Sequence, residues 1–282
     1  MTADKKSTVL VVEDDRSTSR MVCSALQSAG LETVAVEDGR VALQLVRERA
    51  FDLVLLDLNL PGIKGLEILD RMYQEAIPCR VIVMTGDDAT ESVMHAVSRQ
   101  AYRYILKPFS MKALVELVQT VLAAGYPSAP IEVVSALPEW IELLVPCDLE
   151  SADRIRSFMA GLLSSIPENV RESIAQAFRE LLLNAIEWGG QLDPQRKVRI
   201  SCLRARRMLL YRIADPGPGF RMEEVRHAAF NNPEGAPTEH MRVREELKLR
   251  PGGFGILLVK SIVDELLFNE AHNEVVFVKY LD

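Results

Sequence analysis

With 282 residues, 48% of them hydrophobic and 26% charged, the chain is long enough for two globular domains, each with its own core. The net charge is −7 and the basic residues form no stripe, which argues against a nucleic-acid partner. No apolar stretch approaches the roughly 18 residues of a membrane-spanning helix, and no apolar run after the first eight residues is long enough for a signal peptide, so no membrane association is expected. Cys23, Cys79, Cys147 and Cys202 are scattered without a CxxC spacing, as expected of reduced thiols in a cytoplasmic protein.

In the first half, four short apolar runs stand out: Val9–Val12, Asp52–Leu56, Arg80–Met84 and Tyr102–Leu106. A weaker strand pattern lies at Glu32–Val36. Between and after them, helical periodicity covers Thr18–Ala29, Arg40–Arg49, Gly65–Glu75, Thr90–Arg99 and Ser110–Ala124. Alternation of this kind predicts an α/β, doubly wound parallel sheet of five strands, and apolar runs without alternation suit strands covered on both faces. The four runs end in polar chemistry: Glu13 and Asp14, Asp57, Thr85, and Lys107. The carboxyl edge of such a sheet is where ligands bind, so these residues should meet there. Clustered carboxylates repel one another and want a divalent cation, and an all-oxygen set favours Mg²⁺ over zinc. An aspartate attacking a phosphoryl group, with Mg²⁺ and Lys107 neutralising its oxygens, fits this set.

The stretches VLVVEDD, DLVLLDLNLPG, VIVMTGD and YILKPF, in this order, resemble the receiver domain of bacterial response regulators over about residues 7–125. The resemblance implies that Asp57 is the phospho-acceptor. It implies that Asp14 and Asp57 hold Mg²⁺ directly, Glu13 mainly through water, and Asn59 through its backbone carbonyl. Thr85 becomes the hydroxyl that moves onto the phosphoryl group, Tyr104 a rotameric switch, and Lys107 the partner of the phosphate. A cis Lys107–Pro108 bond is also implied. Glu13 stands where aspartate is commoner in that family.

Residues 1–125 are thus read as the receiver, and residues 126–139, with three prolines, as a linker. Residues 140–282 form the second domain. Ile141–Val145 reads as a strand, Leu149–Ser164 and Glu168–Trp188 as helices, and Val198–Leu203 and Met208–Ala214 as paired strands. Asp215-Pro216-Gly217-Pro218-Gly219-Phe220 breaks the pattern, and a polar, proline-containing segment follows. Pro251-Gly252-Gly253-Phe254-Gly255 opens a helix over Ile256–Glu265, and Glu274–Lys279 closes as a strand. Helices and antiparallel strands segregated this way predict a two-layer α+β fold. On the Glu168–Trp188 helix, Glu180 and Asn184 lie four apart and share a face. The amide oxygen of Asn184 can bind Mg²⁺, and Glu180 can accept a proton. Gly253 and Gly255 at a helix start let backbone N–H groups approach a phosphate.

ExxxN on a helix, DxGxGF after a strand and GGFG opening a helix together resemble the ATP-binding domain of histidine kinases, gyrase-type ATPases and anti-sigma-factor serine kinases over about residues 139–282. By that resemblance Asn184 coordinates the Mg²⁺ of ATP and Glu180 is the base. Asp215 accepts a hydrogen bond from the adenine amine, Gly217 and Gly219 flank a lid, and Gly252, Gly253 and Gly255 wrap the phosphates. The stretch GGFGILLVKSIVDELLF is most similar to the anti-sigma kinase branch, where a histidine is frequent at the position of Trp188. His95, His227, His240 and His272 each lack a following acidic residue, so an internal phospho-accepting histidine is not expected. The expected function is a response regulator whose ATP-dependent kinase acts on Ser or Thr of a partner. Its phosphodonor would be a histidine kinase or phosphotransfer protein, and its target an anti-sigma-antagonist-like protein or a sigma factor. A nucleotide-dependent non-enzymatic switch and a kinase for histidine on a separate protein are the alternatives. Both families often form homodimers.

Overall fold

The computed structural model describes residues 6–86, 90–124, 129–163, 166–221, 238–246 and 254–281. The chain divides into two compact units, Met1–Pro127 with Ser157–Leu162, and Ser128–Arg156 with Leu163–Asp282. Gly252, Gly253 and most of the segment between Arg221 and Arg250 lie outside the described residues.

The first unit carries β1 (Thr8–Val12), α1 (Arg16–Ser28), β2 (Glu32–Val36), α2 (Gly39–Glu48), β3 (Leu53–Asp57), α3 (Gly65–Gln74), β4 (Arg80–Thr85), α4 (Thr90–Ser98), β5 (Arg103–Leu106) and α5 (Met111–Ala123). Its strands form one parallel sheet in the order β2-β1-β3-β4-β5, the doubly wound arrangement expected from the alternation. The inner strands β1, β3 and β4 are buried along almost their whole length because helices cover both faces, while edge strand β2 is partly exposed. Polar side chains set where the helices begin. Asp15 accepts from Thr18 N–H at 2.7 Å before α1, Asp38 from Arg40 N–H at 2.6 Å before α2, and Ser110 from Ala113 N–H at 3.1 Å before α5. At the other end of α5, Arg80 from the start of β4 donates to Val121 O at 2.6 Å and Ala124 O at 2.5 Å. Its guanidinium thereby satisfies carbonyls that the helix itself leaves open, and it lies over the Tyr102 ring.

The second unit contains β6 (Glu132–Ala136), β7 (Trp140–Pro146), α6 (Leu149–Leu162), α7 (Glu168–Asn184), a π-turn at Ala185–Gly189, β8 (Lys197–Ala205), β9 (Met208–Ala214), α8 (Glu239–Glu246), α9 (Gly255–Ile262), β10 (Glu265–Phe268) and β11 (Glu274–Tyr280); the last six residues of α6 group with the first unit. The antiparallel sheet runs β10-β11-β9-β8-β7-β6. Residues alternate between buried and partly exposed along β7 and β9, as in a sheet covered on one face. The covering layer meets it through Phe178 of α7, whose ring lies 5.4 Å from Tyr211 of β9, itself stacked at 5.0 Å on Phe277 of β11. The helix face that supplies Phe178 also buries Ile174, Ala177, Leu181 and Leu182, at helical spacing.

Besides α8, which lies in the segment read only as polar and proline-containing, three elements among the described residues differ from the expectation. The proline-rich joint carries β6, which pairs with β7 and closes one edge of the second sheet. The helix over Glu168–Trp188 is α-helical only to Asn184 and then widens into the π-turn. The helix after Gly255 stops at Ile262, and Glu265–Phe268 is strand β10, because Leu266 and Leu267 pair with Phe277 and Val276 of β11.

Candidate functional site

At the carboxyl edge of the first sheet, β1 runs into Glu13 and Asp14 and β3 ends on Asp57. One oxygen from each of the three carboxylates lies within 4.8 Å of the others. Glu13 and Asp57 are buried and Asp14 is exposed. Lys107, just past β5, bridges the buried pair, with Nζ 2.6 Å from Glu13 Oε2 and 2.6 Å from Asp57 Oδ2. The other Asp57 oxygen accepts the Asn59 N–H at 2.9 Å. Thr85 is fully buried at the end of β4, and its carbonyl accepts the Lys107 N–H at 2.8 Å. Tyr104 is buried on β5, and the Lys107–Pro108 bond is cis. All the receiver positions singled out from the sequence thus belong to β1, β3, β4, β5 or the turns that follow them.

Burial pushes the Glu13 carboxyl above its ordinary value, and the hydrogen bond and charge of Lys107 offset this only in part. For Lys107, burial works against the ammonium, but hydrogen bonds to Asp57 and Glu13 outweigh it and raise its pKa. Three carboxylates and one ammonium leave a net charge of about −2 when all are ionised, with Glu13 and Asp57 buried and Asp14 open to water. An all-oxygen donor set with that surplus fits a hard divalent cation such as Mg²⁺.

In the second unit, α7 carries Glu180 and Asn184 on one face, both half-buried. A Cβ at Gly255 would stand 2.9 Å from Glu180 Oε2, so the carboxylate sits against the first residue of α9. Arg179 Nη1 lies 3.3 Å from the other Glu180 oxygen. One turn on from Asn184, the π-turn ends at Gly189, where a Cβ would overlap the Asp215 carboxylate. Asp215 Oδ1 accepts the Gly217 N–H at 2.7 Å, closing a tight loop. Burial lifts the Asp215 carboxyl above its usual range, with the Gly217 N–H and the charge of Arg196 working the other way. Gly219 has φ +85° and faces Ala271 O so closely that no side chain fits there.

The helix, the loop and the helix start, far apart in sequence, therefore adjoin: Glu180 meets Gly255, and Gly189, five residues past Asn184, meets Asp215. Gly189 was not singled out from the sequence, although Gly189-Gly190 directly after an ExxxN helix was the available signal.

Residues 9–119 match the response regulator receiver domain family, and residues 145–279 match the histidine kinase-like ATPase domain family. The chain is thus a response regulator receiver domain followed by a histidine kinase-like ATPase domain. Among curated proteins it is similar to the DNA-binding response regulator MtrA of Mycolicibacterium paratuberculosis, 38% identical over 111 residues, covering 39% of this chain and 49% of that one. It is also similar to the phosphate regulon transcriptional regulatory protein PhoB of Pseudomonas aeruginosa, 32% identical over 151 residues, covering 52% of this chain and 66% of the relative. The chain spans about half the length of the MtrA relatives it matches. Among solved structures, the chemotaxis protein CheY4 of Vibrio cholerae is 28% identical and covers 42% of this chain and 99% of its own, with a TM-score of 0.40. Among the described residues, no helix is long and apolar enough to cross a membrane.

Proposed function

We propose that the chain is a two-component response regulator whose output is an ATP-dependent protein kinase. The observation that carries this reading is the meeting of three motifs in the second unit: Glu180 against Gly255, and Asp215 against the turn that follows Asn184. Binding Mg²⁺-ATP uses a carboxamide for the metal, a helix start for the phosphates and a carboxylate for the base amine; Asn184, Gly255 and Asp215 supply these, on elements that adjoin through Glu180 with Gly255 and Gly189 with Asp215. A carboxylate beside the helix start is suited to take a proton during phosphoryl transfer, which nucleotide binding alone does not need. Glu180 takes the proton of a serine or threonine hydroxyl on a partner, of the anti-sigma-antagonist type. A sigma factor is a second possible occupant of the same surface.

At the receiver, Asp57 takes a phosphoryl group from a histidine kinase or phosphotransfer protein. Asp14, Asp57 and the Asn59 carbonyl would hold Mg²⁺ directly and Glu13 mainly through water, and the ion would supply positive charge to the phosphoryl oxygens. Lys107, already 2.6 Å from Asp57, pairs with the new phosphate. Thr85 donates its hydroxyl to it, and Tyr104 rotates in response. In the ATPase domain Asn184 holds the nucleotide's Mg²⁺, and Gly252 and Gly253 act with Gly255 at the phosphates, Gly217 and Gly219 flanking the lid. The functional modules are residues 1–125 and 140–282, with β6 of the intervening segment paired to the sheet of the second.

A non-enzymatic nucleotide switch is the second reading, favoured by one contact: Arg179 competes for the Glu180 carboxylate. The deciding experiment compares wild type with Asn184→Ala. The variant is expected to lose ATP binding while Asp57 is phosphorylated normally. Wild type is expected to give an acid-stable phosphoryl-serine or phosphoryl-threonine on its partner. An acid-labile, alkali-stable product assigns a histidine acceptor, and ATP binding without any transfer assigns the switch.

A further inference from the structure

The Asp215–Phe220 loop is not held by its own strand alone. The turn between β10 and β11, Asn269–Asn273, grips it at several points. Asp215 N–H donates to Asn273 O at 2.9 Å, and Phe220 N–H donates to Ala271 O at 3.0 Å. The Asn273 carboxamide donates from Nδ2 to Gly217 O at 2.9 Å. The Phe220 and His272 rings lie 5.3 Å apart, and His272 continues to Phe268 at 5.7 Å. Gly219 admits the close approach of Ala271 O that this seating requires.

The decisive link runs through Gly217. Its carbonyl is fixed by Asn273 Nδ2, and its N–H is the group that fixes Asp215 Oδ1. The direction of the Asn273 carboxamide is itself determined. Asn269 Nδ2 donates to Asn273 Oδ1 at 2.8 Å, so Nδ2 must face Gly217. Asn269 is in turn held by N–H groups of Asn273 and Glu274, each 3.1 Å from its Oδ1.

We infer that Asn273 is a positioning residue for nucleotide-base recognition, setting the orientation in which the Asp215 carboxylate meets the exocyclic amine of adenine. The inference rests on the ATP reading of this site. Its signature is selectivity rather than affinity alone, because an acceptor turned away from the amine weakens the bond to ATP and leaves a ligand without that donor unaffected.

The test measures binding of ATP and of purine riboside triphosphate, which lacks the exocyclic amine, to the full chain with Mg²⁺ by calorimetry. Wild type is expected to prefer ATP. Asn273→Ala is expected to lower ATP affinity about ten-fold while changing that of the purine riboside analogue by less than about two-fold. An unchanged ratio, or equal weakening of both ligands, overturns the inference. Should Asn273→Ala fail to fold, Asn269→Ala keeps the carboxamide but frees its direction, and the same collapse of the ratio is expected. Asp215→Ala separates the two levels. Loss of preference in Asp215→Ala but not in the asparagine variants leaves the ATP reading standing and removes the role of Asn273. If wild type has no preference and Asp215→Ala binds both ligands as wild type does, the base reading falls and the inference falls with it.

Discussion

Lys107 carries more of the receiver site than its neighbours. Its ammonium is the cation that lets Glu13 and Asp57, 1% and 3% exposed, face one another as carboxylates. Removing one partner of a buried ionic group leaves the others uncompensated, which costs several kcal/mol in dry interiors. Lys107 is itself 26% exposed, so water relieves part of the penalty. Lys107→Ala is therefore expected to lose roughly 2 kcal/mol at neutral pH, read by urea denaturation. Added Mg²⁺ should restore more of the loss than it adds to wild type, because the variant's cluster lacks a cation. At this scale the sequence was informative for chemistry but blind to support. Asp57, Lys107, Glu180 and Asp215 announce themselves by residue type at strand or helix ends. Gly189 and Asn273 do not, since what they do depends on a partner that folding brings from far along the chain.

Among the elements, α3 and α4 are tied by a cluster that reports on pH. Asp70 of α3 accepts from His95 Nε2 at 2.9 Å and pairs with Arg99 just past α4. Burial alone raises the Asp70 carboxyl, but the hydrogen bonds from Arg99 and His95 outweigh it and bring it below the ordinary carboxylate range. A carboxyl with a lowered folded-state pKa contributes stability above its unfolded pKa and loses it as pH falls through the folded one. Acid should therefore weaken the α3–α4 tie below about pH 4, and Asp70→Asn should flatten the stability profile in that window alone. A profile unchanged by the substitution would show that the cluster stores no net stability. The strands that the sequence made legible were those with a pattern of their own, the alternating β7 and β9 among them. β1, β3 and β4 read as uninterrupted apolar runs because no solvent face imposes alternation. β6, EVVSA between two prolines, and β10, ELLF directly after a helix, did not. Each is a short edge strand whose identity comes from its partner rather than from its own pattern.

For the molecule as a whole, the central expectation is that two nucleotide- and phosphate-handling centres share one free-energy balance. A phosphoryl group on Asp57 adds about −1.5 to −2 charge to the Glu13–Asp14–Lys107 corner. If the ATPase domain responds, calorimetry with and without a beryllium fluoride mimic at Asp57 should show a change in ATP affinity of about 5- to 150-fold, the usual span of coupling between sites. Equal affinity in both states would place the receiver's control on partner docking instead. The order of the two folds was legible in the sequence because each carries motifs at fixed strand and helix ends. The division within residues 126–139 was not, because a proline-rich stretch reads as linker even where it contributes an edge strand.

One further consequence lies in β4. The strand is a rod of six residues, about 20 Å long, with Thr85 at one tip and Arg80 at the other. At the Arg80 tip the guanidinium clasps the final carbonyls of α5. A shift of Thr85 along the strand axis would therefore have a direct route to the last turn of that helix, since an inner strand paired on both sides resists stretching, and Arg80→Ala is expected to break that route. On that expectation the strand is a connecting rod and Arg80 the pin at its far end.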